Sequence, residues 1–196
     1  EQQLVTDITR LWHEVEWDWY TQGKDVLYWH WSPNYAWEMN FPVGGYNECL
    51  IMYVLAASSP THPIRPEVYH KGWARDGAIT NDTVYYDLPT VLDFYEHHTD
   101  PIGPLFWAHY SYLGLCPKGL KDRYADYWEL NRNHALIHSR YALDNPKGFE
   151  GYGEKQWGLT SSYSVGGYVG HHPGDEDLGV ISPTAALSSF PYTPKE

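Results

Sequence analysis

In FPVGGYNECLIMYVLAASSP, residues 41–60, a single carboxylate, Glu48, falls between the glycines Gly44 and Gly45 and nine consecutive apolar or small residues, 49–57. An acid beside a helix start is stabilised in its ionised form by the helix dipole, which accounts for many residues of this kind. The same carboxyl, with Trp31, Trp37 and Tyr46 near it in sequence, could instead face a cleft where water is scarce. There the protonated form gains, and the group can work as a general acid. The two readings pull its pKa in opposite directions, and both stay open at this level.

Other residues admit chemistry more weakly. Glu38, in YAWEMNF, is a second acid in aromatic surroundings and a binding candidate. GHHPGDEDLG, residues 170–179, gathers two histidines and three acids. It reads either as a solvated loop tip or as the place of a base that activates water, with Asp175 and Asp177 the candidates. His134 and His138 stand i, i+4 on an expected helix, the spacing of a shared metal, but the glutamate that follows the first histidine of a zincin motif is absent. The pairs His97–His98 and His171–His172 are adjacent and do not share a face. No catalytic metal and no cofactor is expected. G-x-S-x-G and Walker A patterns are missing as well, which removes the main support for serine-hydrolase and nucleotide chemistry. Asn81 opens an Asn-Asp-Thr glycosylation sequon.

These groups need elements to hold them. Leu4, Ile8, Leu11, Trp12, Val15 and Trp19 recur at helical spacing and predict an amphipathic helix ending near Gly23. Residues 24–45 alternate too poorly for a long strand and read as a loop, with room for a short hairpin. Residues 46–58 predict a helix that is apolar on nearly every side and therefore surrounded by other elements. A short helix over 89–98 and a longer one over 123–143 follow, the second stopped by Asn145, Pro146 and Gly148. Residues 149–179 read as Gly- and aromatic-rich loop, and Ser182 with Pro183 as the N-cap and first-turn proline of a last helix, TAALSSF. Helices separated by long loops predict an all-α domain, one segment over 1–196.

Composition narrows the partners. The 196 residues suffice for one domain with a real core, and 19% charged residues exclude a solvated, disordered segment. A net charge of −12 without a basic patch argues against nucleic acid. The longest apolar run is about half of what a bilayer span needs. Two cysteines, Cys49 and Cys116, make neither a disulfide framework nor a zinc knuckle. Aromatics reach 17%. Three loops, WHWSPNYAWEMNF, GPLFWAHYSYLG and GYGEKQWGLTSSYSVGGYVGHHPG, mix Trp and Tyr with Asn, His, Gln and Gly. Such a mixture suits a carbohydrate cleft, where rings stack on sugar faces and amides or imidazoles bond hydroxyls.

Four blocks, GGYNECLIMYVLAASSPTHP, WGLTSS, GYVGHHPGDEDLGVISPTAALSSFPYTP and FWAHYSYLG, resemble the bacterial glucoamylase-like family that includes the endo-β-1,2-glucanases of glycoside hydrolase family 144. The resemblance runs over nearly the whole chain in ordered blocks. It implies an (α/α)6 toroid, of which this chain would be the C-terminal portion of the catalytic domain, needing the upstream half of that domain. It also implies inverting hydrolysis of a β-glucan, an oligo- or polysaccharide, with Glu48 of the Tyr-Asn-Glu motif as a catalytic acid. The second carboxylate of an inverting pair would lie upstream or in the loop of Asp175 and Asp177. On this reading Trp31, Trp37, Trp107, Tyr152 and Trp157 stack on sugar rings, Asn40, Asn47 and His109 bond hydroxyls, and Glu38 and Asp175 bind substrate. The alternatives are an exo-acting glucosidase of glucoamylase type and a non-catalytic carbohydrate-binding domain. By analogy, a periplasmic or extracellular location is expected. The opening residue, Glu1, and the helical pattern already under way there suggest a processed or truncated chain.

Overall fold

The apolar residues at helical spacing near the start of the sequence form α1, Gln2–Glu14, in the structure, a computed structural model that describes residues 1–93 and 102–196. The described chain divides into two compact units, Glu1–Gly45 with Cys49–Ile79, and Tyr46–Glu48 with Thr80–Glu196.

In the first unit α1 stops well short of Gly23. Val15 is extended (φ −71°, ψ 116°), although its N–H still reaches Leu11 O. The apolar spacing continues through Trp19, but as a separate 3-10 turn, Trp19–Thr21, closed by the left-handed Gln22. No residue of α1 is buried, and Leu4, Val5, Ile8 and Leu11 are each more than half exposed. Strands β1 (Leu27–Trp29) and β2 (Phe41–Val43) pair antiparallel, with Leu27 opposite Val43, so the loop of residues 24–45 does carry a short hairpin. Helix α2 spans Leu50–Ser58. It begins four residues later than expected and buries one face, Leu50, Tyr53 and Ala56, while Leu55 is 37% exposed. The expectation of a helix enclosed on all sides is corrected accordingly.

Tyr53 fixes the hairpin to α2. Its hydroxyl accepts the Leu27 N–H (3.1 Å) and donates to Val43 O (2.6 Å), which satisfies two strand groups inside the core. Its ring packs on Trp73, at the end of the π-helical turn Val68–Trp73. Gly44, the first of the two glycines preceding Glu48, is held by close packing here. A Cβ on Gly44 would stand 2.5 Å from Gly72 O, and one on Gly72 would stand 2.7 Å from the main chain at Asp25 and Val26.

In the second unit, β3 (Val84–Tyr85) and β4 (Leu88–Pro89) form a hairpin. The expected helix over 89–98 is therefore not present where it can be followed: Pro89 lies in a strand and residues 90–93 are not helical, while residues 94–98, with His97 and His98, lie outside the described residues. Helix α3 spans Tyr127–Asp144. The Asp126 side chain caps it by accepting the N–H groups of Trp128 and Glu129, which starts it a turn later than the sequence pattern implied. Asn145, in the left-handed conformation, ends it, as the DNPKG stretch predicts. Strands β5 (Ser161–Ser164) and β6 (Gly167–Gly170) form a third hairpin within the stretch that read as loop. Helix α4, Pro183–Ser188, has Ser182 at its N-cap position and proline in its first turn. Leu105, Ala135, Ala142, Trp157 and Ala185 meet in the core of this unit.

With three two-stranded antiparallel sheets among the described residues, the chain mixes helices with short strands and is not all-α. No helix among the described residues is long and apolar enough to cross a membrane.

Candidate active site

Glu48 sits in the second unit, two residues ahead of α2, and is half-buried. It is not a helix cap: α2 has no side-chain cap bond and no acid in its first turn. Burial raises the Glu48 carboxyl above the ordinary glutamate range, while a hydrogen bond from its own backbone N–H opposes the shift. Desolvation thus outweighs local hydrogen bonding and shifts the carboxyl toward its protonated form, the direction a general acid needs.

The residues around it are held by hydroxyls. Tyr46 is fully buried, its backbone N–H bonds Asp93 O (3.1 Å), and its phenol donates to Asn131 Oδ1 on α3. The same phenol lies 3.5 Å from the Tyr112 hydroxyl. Asn131 in turn donates to the Tyr192 hydroxyl (3.2 Å). Burial pushes the Tyr46, Tyr112 and Tyr192 phenols up, so all three stay protonated donors. Ser111, in the 3-10 turn Ser111–Leu113, donates to the backbone oxygen of Glu48 at 2.6 Å. Asn47, between Tyr46 and Glu48, is buried.

Trp107 and His109 lie on or just after the neighbouring 3-10 turn Leu105–Ala108, both half-buried. Burial pushes the His109 imidazole down to about 4, leaving it neutral, and its Nε2 pairs with Ser189 Oγ at 3.0 Å. It can still offer a ring nitrogen to a hydroxyl without bringing a charge.

His134 and His138 do share a face of α3, and both direct Nε2 at one acceptor, Gly103 O, at 2.7 and 3.0 Å. A carbonyl only accepts, so both nitrogens carry hydrogen and are already engaged. Their rings stack with centroids 5.0 Å apart, and burial depresses both, His134 to about 3 and His138 well below the ordinary imidazole range. No group of three or more potential metal-binding side chains occurs among the described residues.

The acidic loop of residues 170–179 is not a solvated tip. His171, His172 and Asp177 are buried. The Asp177 carboxylate accepts the hydroxyls of Tyr152 (2.6 Å) and Tyr141 (3.0 Å) and the Gly179 N–H (3.0 Å). With three donors in place, it is a structural anchor with little capacity left to activate water. Asp175 is exposed, and Lys147 binds its backbone oxygen. Tyr152 is half-buried with its hydroxyl committed to Asp177. Trp157 is 4% exposed and packs in the core, with Nε1 on Glu196 O, although it also borders a cavity lined by Ala186, Leu187 and Phe190.

In the first unit, Trp31 and Trp37 are joined by Trp19, whose ring lies 5.4 Å from Trp31 and 4.9 Å from Trp37. Trp37 rests on Tyr20 and Tyr28 and is half-buried, whereas Trp19 and Trp31 are 44% and 40% exposed. Glu38 and Asn40 lie exposed beside them in sequence, and Gln22 donates to Asn40 Oδ1. Sequence reasoning counted Trp19 among the helical apolar positions and missed it as a surface ring. The break of the helix at Val15 is what frees it.

Residues 40–196 match the Glycoamylase family model, whose description reads "Putative glucoamylase". An endo-β-1,2-glucanase from Chitinophaga pinensis, solved as a sophorotriose and glucose complex, is 61% identical with a TM-score of 0.91, over 99% of this chain and 46% of that one. A β-1,2-glucanase structure from Parabacteroides distasonis is 40% identical with a TM-score of 0.89, over 98% and 30%. A curated relative from Parabacteroides distasonis, an exo β-1,2-glucooligosaccharide sophorohydrolase acting at the non-reducing end, is 42% identical over 99% of this chain and 29% of its own length. The chain therefore spans about half of the solved endo-glucanase and under a third of the curated relative.

Proposed function

The chain belongs to the Glycoamylase family of glucoamylase-like proteins, and from that premise we propose that it carries part of the active site of a β-glucan-cleaving glycoside hydrolase, an endo-β-1,2-glucanase with Glu48 as general acid. The single observation that carries this reading is the half-buried Glu48 carboxyl, raised by desolvation and free of a capping role. Protonated, it can donate to the departing glycosidic oxygen. An inverting reaction then needs a second carboxylate about 6.5–9.5 Å across the sugar to activate water. Asp177 is a poor candidate because its oxygens already hold three donors. The base therefore comes from Asp175 or from a part of the catalytic domain outside this chain.

On this reading Trp31 and Trp37 supply ring faces for glucose units, with Trp107 as a third. Glu38, Asn40, Asn47 and His109 supply polar contacts. The chain contributes one portion of an (α/α)6 toroid. The exposed apolar residues of α1 support a requirement for the rest of that domain, since a stripe of this kind is normally covered. A periplasmic or extracellular site of action suits a polysaccharide substrate.

Replacing Glu48 with glutamine in the full-length enzyme keeps the shape and removes the proton. Turnover of β-1,2-glucan should fall by about 10² or more. Normal turnover in Glu48→Gln would refute the assignment. The exo-acting reading has its own support in the curated relative, and a product profile separates the two. A ladder of short oligosaccharides fits endo action, and a single disaccharide or glucose fits exo action.

A further inference from the structure

Glu48 is held through its main chain, and its carboxylate has no side-chain donor among the hydrogen bonds described above. Consecutive residues of one 3-10 turn reach both ends of the tripeptide Tyr46–Glu48. The Ser111 hydroxyl donates to Glu48 O at 2.6 Å, and the Tyr112 hydroxyl meets the Tyr46 hydroxyl at 3.5 Å. Ser111 is fully buried, and the Tyr46 phenol is fixed on α3 through Asn131. We propose that Ser111 is a positioning residue for the reaction, setting the place of the Glu48 carboxyl through the backbone of Glu48; this rests on the general-acid reading of Glu48.

The chemistry favours such an arrangement. A donor bonded to the carboxylate itself would stabilise the anion and draw the pKa down, away from the range in which a glutamic acid can donate. A donor on the carbonyl of the same residue fixes the Cα and the origin of the side chain, and adds no donor to the carboxyl beyond the backbone N–H of Glu48 itself. Ser111 can therefore restrict the position of the acid without altering its acidity. In a buried setting that bond also satisfies the Glu48 carbonyl, which would otherwise seek water. Misplacement of a reacting group by about 1 Å can cost about 10²-fold in rate, so loosening one anchor of several is expected to cost less.

The test is a double-mutant cycle in the full-length enzyme on β-1,2-glucan. Ser111→Ala should lower kcat about 10-fold with KM within about 2-fold, while the alkaline limb of the pH profile, which the general acid sets, stays at its wild-type position. In the Glu48→Gln background the same change should lower the residual rate by less than about 2-fold, because the group being positioned is gone. A general loosening of the fold would lower the rate equally in both backgrounds. Wild-type kcat in Ser111→Ala, or equal losses in the two backgrounds, overturns the inference while leaving Glu48 as the acid. Normal turnover in Glu48→Gln, by contrast, removes the reading on which it rests. Should Ser111→Ala fail to fold, Ser111→Cys keeps nearly the same volume with a weaker donor, and the same cycle applies with a smaller loss.

Discussion

The two units hold their aromatic residues by different means. In the first, Trp19 contacts both Trp31 and Trp37 ring to ring, and two of the three are substantially exposed. In the second, Tyr46, Tyr112 and Tyr192 are tied through their hydroxyls to Asn131 and to backbone oxygens inside the protein. Ring contacts are broad in geometry and contribute about 0.5–1.5 kcal/mol each, so a surface made from them can adapt to what it meets. Buried hydroxyl networks are directional, and they fail when one member is lost because the others cannot turn to water. The first arrangement suits binding and the second suits placing a reactive group.

This contrast can be broken at its strongest point first. Asn131→Ala strips partners from two buried phenols at once, and should cost about 3 kcal/mol of stability, read as a lower denaturation midpoint. A loss below about 1 kcal/mol would show that the network is dispensable. A middle-sized effect belongs to the other side: Trp31→Ala should raise KM for β-1,2-glucan about 3- to 10-fold, with kcat nearly unchanged and the denaturation midpoint little moved. A fall in kcat with constant KM would place Trp31 among the positioning groups instead.

The smallest effect comes from the acid itself. Since the folded protein raises the Glu48 pKa, folding favours the protonated carboxyl, and its contribution is favourable below the ordinary glutamate pKa of 4.5. That contribution is lost as pH rises through this range, because the native state then binds more protons than the unfolded chain. Glu48→Gln should therefore melt about 1–3 °C above wild type at pH 7, with the gain vanishing below about pH 4. A gain that persisted at low pH would point to packing rather than protonation.

Local chemistry was legible in the sequence where it acts alone. Asn145 ends α3 and Pro183 opens α4, because backbone conformation at these places is set by the residues themselves, while Ser182 holds the N-cap position without a side-chain cap bond. Long-range partners were not legible. Asp177 stands in a run of acids and reads as solvated until Tyr141 and Tyr152, distant in sequence, reach its carboxylate. The β5/β6 hairpin is built largely from Ser and Gly, which are weak strand formers, and is stiffened by the Tyr163–Tyr168 pair and by the Ser164 hydroxyl donating to Gly167 O. Trp157 reads as a ligand-stacking ring because composition cannot distinguish a cleft wall from a core. Glu48 was visible as a conflict between dipole and burial, and the absence of a capping role with its half-buried place resolves that conflict toward burial.

Gly103 carries a consequence of its own. Its carbonyl receives two imidazoles from successive turns of α3, and a Cβ on it would strike the indole of Trp107. A helix spacing that elsewhere captures ions thereby becomes a double clasp between loop and helix. Because both halves of the clasp close on one atom, any side chain introduced there would undo them together and would also displace the Trp107 indole.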